Sequence, residues 1–345
     1  MKTIKVINAQ DYSKWEKYVE EIPAAGFFHR IGWLKVVQRT YGHRPFYLMA
    51  TSGETVHGIL PLFLVSSPMF GRILASDVFT SYGGICADDA EVERQLMDEA
   101  ARLAMAQGVS YLEIKNLNRI NGLNGRWQTK TDYCTLILDL QPGAEQIWKA
   151  WRDKTRNDVR KATKSGVVIE QGAQFFDEFY KLVTVDMRRL GTPVHSRKFY
   201  YNILQEFPEE ANIFVAKVSG QTVSAALTVG FKKHLQAYTS VSLSEFRQLK
   251  PNALLYWEVV QYACQRGYHY LDFGRSTWES GTFEFKKHLG AAPVPLYYDY
   301  YLNRRKTVPH IHQDNKNYRL AIAVWQRLPL AVTRALGPHL IKYVV

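Results

Sequence analysis

One order of elements is written twice along these 345 residues. In the first half, a hairpin pattern over 46–50 and 56–65 turns around Ser52-Gly53-Glu54, and extended stretches at 73–74 and 82–86 follow it. Asp88-Asp89 then caps a helix carrying Val92, Leu96, Ala100, Leu103 and Ala104, and a strand is expected over 110–115. In the second half, a hairpin over 213–218 and 223–231 turns around Ser219-Gly220-Gln221. A strand over 234–243, a helix over 252–265 stopped at Gly267 and a strand over 268–273 complete it. Ser52-Gly53-Glu54-Thr55-Val56 matches Ser219-Gly220-Gln221-Thr222-Val223 at an offset of 167, and Tyr111-Leu112-Glu113 matches Tyr270-Leu271-Asp272 at an offset of 159. A period this long means tandem domains, not a solenoid. Hairpin, strand, helix, strand gives an α/β (α+β) architecture in which each half is a mixed sheet flanked by helices. The expected boundaries are 1–140, 141–302 and a basic tail over 303–345, with Asp139-Leu140-Gln141-Pro142-Gly143 as the junction. A strand over 3–8 and helices over 11–21 and 29–40 precede the first repeat.

Composition narrows the partners. A net charge of +12 favours an anionic one, namely nucleic acid, a phospholipid surface or a phosphorylated substrate. Cys86, Cys134 and Cys264 are too far apart for a CxxC pair or a metal set, which fits a reducing compartment. No HExxH, HxxH, GxSxG or cysteine–histidine pattern is present, so neither a metal site nor a covalent intermediate is expected. No apolar run follows Met1-Lys2 and none reaches the length of a membrane span, so a cytoplasmic protein is expected.

Basic charge concentrates in one predicted helix over 144–165, which holds Trp148, Trp151, Val159 and Ala162 at helical spacing. Arg152, Lys154, Arg156, Arg160, Lys161 and Lys164 are offset within its later part only by Asp153 and Asp158. Such a face is either solvated or turned to phosphate, and Asn157 adds a neutral donor suited to phosphate or sugar oxygens.

The element order resembles the GNAT acyltransferase fold, in which a glycine-bearing loop ahead of the second-half helix wraps the pyrophosphate of acetyl-CoA. Here that loop reads Arg247-Gln248-Leu249-Lys250-Pro251-Asn252-Ala253, without glycine and with a proline that removes a donor. Arg247 and Lys250 remain as side-chain phosphate ligands. Ala87-Asp88-Asp89 holds the corresponding place in the first half, where two carboxylates cap a helix and repel phosphate.

Four stretches sharpen the resemblance: 155–162 (TRNDVRKA), 189–193 (RLGTP), 272–276 (DFGRS) and 285–290 (FKKHLG). Together, over about residues 25 to 300, they resemble the FemAB/FemX family of tandem GNAT-like peptidyltransferases. The branch they resemble most is the FemAB-related one linked to exopolysaccharide and PEP-CTERM sorting systems, with its BioF2-like acetyltransferase domain. The resemblance implies transfer of an aminoacyl group from a charged tRNA onto an amine of a cell-envelope or exopolysaccharide precursor, phosphorylated or lipid-linked. It places Lys286 near the transferred carbonyl and Arg189 near the acceptor's phosphates. The long helical-hairpin insertion of the larger family members has no counterpart between Gly143 and Gly220, so acyl-CoA stays open as the donor. No tightly bound cofactor is expected.

The residues themselves allow the same chemistry. The stretch 268–290 is a strand, a small polar loop and an aromatic-flanked lysine pair, which reads as a charged-ligand site or as a solvated turn. Lys286 can stabilise an oxyanion, with Phe283 and Phe285 excluding water. Asp272 is either the proton acceptor or a carboxylate that caps the following loop or pairs with Arg275. Tyr238 and Ser240 on the preceding strand, Arg247 and Asn252 at the start of the helix, and Arg275 complete the candidate substrate-binding set, with Arg156, Asn157, Arg160 and Arg189. His269 alternates with core residues and is not expected to act as a base. The reading of another class is a catalytically silent GNAT-like module that binds phosphorylated glycan or nucleic acid. The tail from 315 to 345 has no acidic residue and interleaves arginines with Leu320, Val324, Trp325 and Leu336. It either packs on the second domain or lies on an anionic membrane, at its inner face.

Overall fold

The computed structural model describes residues 2–67, 71–123, 125–309 and 316–344. These fall into two compact units. The first consists of the described residues within Met1–Tyr133, Pro295–His310 and Lys342–Val345; the second, of those within Cys134–Val294 and Ile311–Ile341.

The first unit begins β1 (Thr3–Val6), α1 (Tyr12–Glu21), α2 (Ile31–Tyr41), β2 (Arg44–Pro45), β3 (Leu48–Ser52), β4 (Thr55–Leu60), β5 (Leu62–Ser67) and β6 (Gly71–Ser76). It continues with β7 (Cys86–Ala87), α3 (Ala90–Ala106), β8 (Tyr111–Asn116) and β9 (Trp127–Lys130). The second unit runs β10 (Tyr133–Asp139), α4 (Ala144–Ala150), α5 (Asp153–Lys164), β11 (Val168–Gln171), α6 (Phe176–Leu190), α7 (Arg197–Glu206), β12 (Ala211–Val218), β13 (Gln221–Phe231) and β14 (His234–Ser242). It goes on through α8 (Pro251–Gln265), β15 (Tyr270–Thr277), α9 (Gly281–His288) and β16 (Ala292–Pro295). The chain then gives β17 (Tyr297–Leu302) to the first unit, and α10 (Lys316–Arg327) and α11 (Leu330–Ile341) to the second.

The first unit holds two sheets, β1-β3-β4-β7 and β2-β5-β6-β8-β17-β9, and the second holds one, β11-β12-β13-β14-β15-β10-β16. In each unit a parallel neighbour pair flanks a crossover helix: β6 with β8 around α3, and β14 with β15 around α8. This is the repeated order expected from the sequence, and the two matched segments lie on equivalent elements. The Ser-Gly turns join β3 to β4 and β12 to β13, and Tyr111-Leu112-Glu113 and Tyr270-Leu271-Asp272 open β8 and β15.

Two expectations need correction. The boundaries at 140 and 302 do not coincide with the units, because two strands sit away from their own half. β10 lies beside β15 in the second unit's sheet, and β17 pairs with β8 over six residues, from Tyr297↔Asn116 to Leu302↔Tyr111. Nor does the tail form a unit of its own. The helix expected over 144–165 is also two helices. Trp151 takes extended backbone (φ −64°, ψ 141°), so its indole turns inward and donates to the Leu289 carbonyl at 2.9 Å. There it meets Trp257 with ring centroids 5.2 Å apart.

The second unit's core gathers Leu136, Leu138, Ile147, Trp151, Val159, Phe214, Ala216, Ala226, Leu235, Leu255, Val259, Leu271 and Phe273 from α4, α5, α8 and one sheet face. α6 and α7 pack on β12–β14 through Phe176, Phe179, Tyr200 and neighbouring rings, and so cover the other face.

Candidate active site

The β14–β15 ladder has three residue pairs, His234↔Tyr270, Leu235↔Leu271 and Gln236↔Asp272, although the strands continue to Ser242 and Thr277. Beyond these pairs the strands splay. A bulge marks the place: against β13, Thr228 faces Ala237 while Leu227 faces Thr239, so Tyr238 is the extra residue. A bulge leaves one residue out of the ladder and sharpens the local twist. Burial changes at the same point, from buried Leu235, Gln236 and Ala237 to half-buried Tyr238, Thr239 and Ser240. Tyr238 lies near Phe199 of α7, and Ser240 bonds the buried Tyr256 hydroxyl of α8. The bulge thus turns the two expected carbonyl-binding side chains to different faces.

Asp272 is not placed to take a proton. It is 1% exposed; Oδ1 accepts the Thr135 hydroxyl and the Gly274 amide (2.7 Å), and Oδ2 accepts Gln236 Nε2 at 3.2 Å. Its bond to the Gly274 amide is the capping role that the sequence left open as the alternative, but the small polar loop expected over 274–277 is strand, since β15 runs on to Thr277. The turn it caps requires Gly274, whose φ is +74°.

Lys286 comes to the same stretch from α9. Its Nζ donates to the carbonyls of Gly274 (2.8 Å) and Arg275 (3.1 Å) and to Ser276 Oγ (3.0 Å). An ammonium has three N–H groups, and these three acceptors take them all. Burial pushes the Lys286 pKa down to about 8, against the opposing pull of Asp272 and the Cys134 thiol. Lys286 is therefore a buried cation clamped to the β15 edge rather than a free ammonium facing the splay. Phe283 is buried, and Phe285 packs on Tyr256 with centroids 5.8 Å apart, so Phe285 belongs to the wall of the core.

A basic rim assembles from segments far apart in sequence. Thr155 Oγ1 donates to the His288 carbonyl at 3.1 Å, which ties the start of α5 to the end of α9. Lys250 Nζ meets Asp158 at 3.2 Å, which ties the turn ahead of α8 to α5. Arg156, Asn157 and Arg160 share α5, and Arg247 leads the tied turn. Arg156 pairs with Asp153, while its Nε has no hydrogen-bond partner among the described residues. Arg160 bonds Asn157 Oδ1 at 3.1 Å and lies 5.7 Å from the Trp148 ring centroid. The turn itself is a 3-10 helix, Ser244–Leu249, closed by Lys250 at φ +60°. Its amides at Phe246, Lys250 and Ala253 already bond the carbonyls of Leu243, Arg247 and Lys250. Asn252 is held from below, with its Oδ1 2.6 Å from Ser224 Oγ.

Arg189 does not join this rim. It ends α6, where its guanidinium bonds Asp186 and its carbonyl accepts Gln326 Nε2 at 2.8 Å. Arg275 is exposed on the clamped edge. Sequence reasoning missed Thr135, Gln236 and Ser276. Strand adjacency brings Thr135 and Gln236 to Asp272, and the return of α9 along β15 brings Lys286 to Ser276, ten residues before it. Among the described residues no His, Cys, Asp or Glu cluster could hold a metal ion, and no helix is long and apolar enough to cross a membrane.

A family model described as the acetyltransferase (GNAT) domain matches residues 149–287, the stretch that carries the splay, the rim and Lys286. No curated protein matches the sequence. Among solved structures, FemX is 15% identical, with 88% of this chain and 98% of that chain covered at a TM-score of 0.69. L-PGS from Bacillus licheniformis is 11% identical, covering 96% and 98% at 0.58. A tandem GNAT protein from the clavulanic acid biosynthesis pathway is 11% identical, covering 87% and 98% at 0.57. The fold is a tandem GNAT-like fold. The second unit's splay and crossover helix are where such a fold offers a ligand cleft, at the carboxyl ends of parallel strands.

Proposed function

We propose that the second unit transfers an acyl or aminoacyl group to an amine of a cell-envelope or exopolysaccharide precursor. The observation that carries this reading is the β14–β15 splay, opened by the Tyr238 bulge and bordered by the Lys286 clamp, with a basic rim beside it. The amine nitrogen attacks the donor carbonyl, a C–N bond forms, and the C–O bond of an ester or the C–S bond of a thioester breaks. The amine's proton leaves with the departing oxygen or sulfur, directly or through solvent. Bulge and splay free backbone N–H groups of β14 for the carbonyl oxygen. Lys286 adds the field of its cation and fixes the opposite edge. An ammonium about 5 Å from a developing oxyanion, at an effective dielectric of about 20, is worth about 3 kcal/mol.

The rim favours a donor or acceptor bearing phosphate, held by Arg156, Arg160, Arg247 and Lys250 side chains. An aminoacyl-tRNA donor accords with a loop that has no glycine cradle and whose Lys250 and Ala253 amides already bond carbonyls. The match to an acetyltransferase domain favours acyl-CoA as the second reading. The acceptor, a phosphorylated or lipid-linked glycan precursor of the exopolysaccharide type, forms part of the same proposal. Calorimetry with acetyl-CoA and with a charged tRNA pool at two salt concentrations tests it. Saturable, weakly salt-dependent CoA binding selects the thioester donor; tRNA binding that requires the aminoacyl group selects the ester. Binding of neither, or tRNA binding that ignores aminoacylation, removes the transferase reading in favour of a silent module.

A further inference from the structure

α10 and α11 bury one stripe each. Trp325, Thr333, Gly337 and Ile341 are buried, both helices pack on α6, and a Cβ at Gly337 would lie 2.9 Å from the Val194 backbone. Beside the buried residues, each helix faces solvent with aliphatic side chains at helical spacing: Leu320 (65% exposed) and Val324 on α10, Val332, Leu336 (47%) and Leu340 on α11. These are five of the twelve large hydrophobic residues exposed among the described residues, within 26 positions that hold no Asp or Glu. Exposed Arg319, Arg327 and Arg334 are interspersed with them.

The same helix α11 walls a pocket of about 450 Å³ against α6 and α7, lined by Tyr180, Ser196, Arg197, Ala331, Arg334 and Ala335 among others. Arg334 makes no ion pair among the described residues and lies 6.0 Å from the Tyr180 ring centroid. Arg197 opens α7, which Ser196 caps, and it pairs with the exposed Asp177. Two guanidiniums at one pocket match a phosphate head group.

We propose that the exposed face of α10 and α11 docks on an anionic phospholipid bilayer, with Arg197 and Arg334 taking the phosphodiester of one lipid. A protein partner is the poorer fit, since such interfaces are anchored by aromatic side chains, and the exposed stripes here hold only Leu and Val. Basic residues beside an exposed apolar stripe, on two helices that carry no Asp or Glu, are what interfacial helices present. The inference stands apart from acyl transfer, because vesicle binding needs neither donor nor acceptor.

The test is co-sedimentation of the full chain with phosphatidylcholine vesicles, with and without about 30% phosphatidylglycerol, at low and high salt. Binding to the anionic vesicles alone, weakened by salt, is expected. Leu336→Asp with Leu340→Asp should lower the partition at least about tenfold, and Arg334→Ala about fivefold. Both changes are at exposed positions, and unchanged thermal melting shows that the fold is kept. Equal binding to neutral vesicles, no vesicle binding, or full binding by the Leu336→Asp/Leu340→Asp variant overturns the proposal. A concentration-dependent dimer that this variant abolishes, without vesicle binding, would reassign the face to self-association.

Discussion

The helices α3 and α8 hold the same place in the two units, each between the strands of a parallel pair, yet their N-termini are built oppositely. α3 is closed by its own acids. Asp89 accepts the Val92 amide at 2.8 Å and pairs with Lys2, and Asp88 takes Tyr18 and His57. α8 has no side-chain cap; it opens with Pro251 after a left-handed Lys250, and Arg247 precedes it on the exposed side. A helix N-terminus attracts anions in both cases. In the first unit the protein supplies the anion itself; in the second it supplies more cations. One duplicated scaffold thus carries one terminus capped by its own carboxylates and one with no side-chain cap.

The buried charges extend the contrast. Glu113 in β8 receives the Tyr300 hydroxyl from β17, whereas Asp272 in the equivalent β15 caps the turn at Gly274 that Lys286 clamps. Asp77, just after β6, is fully buried with no hydrogen-bond partner for either oxygen among the described residues, and burial raises its pKa well above the usual carboxylate range.

Lys286→Ala should give the largest effect, a loss of about 100-fold or more in turnover with donor affinity retained, measured by single-turnover kinetics. A change below threefold would erase the functional difference between the units. The pH profile sharpens the same point, since turnover should fall as pH rises through about 8, where Lys286 loses its proton. Stability should move the other way. Because the folded pKa is depressed, the burial cost is full below pH 8 and is relieved from there up to the ordinary lysine value, where the unfolded chain binds more protons. A urea titration across that range should show stability rising if this group dominates. Arg247→Glu should weaken donor binding about tenfold and flatten its salt dependence; an unchanged affinity would remove the rim from the site. Asp272→Asn and Thr135→Val should each cost about 1–3 kcal/mol of stability. A pH limb in kcat abolished by Asp272→Asn alone would restore Asp272 as the base. The smallest effect is expected from Asp89→Ala, about 1 kcal/mol in urea denaturation with donor binding untouched. A change in donor affinity there would mean that the first unit's helix also serves the ligand.

Much of the fold was legible because local patterns carry it. The Ser-Gly turns, the Asp89 cap and the glycine stop after α8 all lie within short windows, and each was found, whereas β15 buries Leu271, Asp272 and Phe273 in succession. The site was less legible. Tyr238 and Ser240 look like neighbours on one face, but the bulge turns them apart. Asp272 reads as a proton acceptor and Lys286 as an oxyanion stabiliser, until strand adjacency brings Thr135 and Gln236 to the carboxylate and α9 folds back to set the lysine on Ser276 of β15. Arg189 looks like a free cation, until helix spacing places Asp186 beside it.

The sequence by itself determined the duplication, the mixed α/β class and the basic helix, because periodicity, turn residues and charge act over a few residues at a time. The tertiary structure decided which strands exchange places and which charges are consumed. It also decided which charges remain at the open edge, because hydrogen bonds and burial depend on neighbours more than a hundred residues away, as Thr135 is from Asp272.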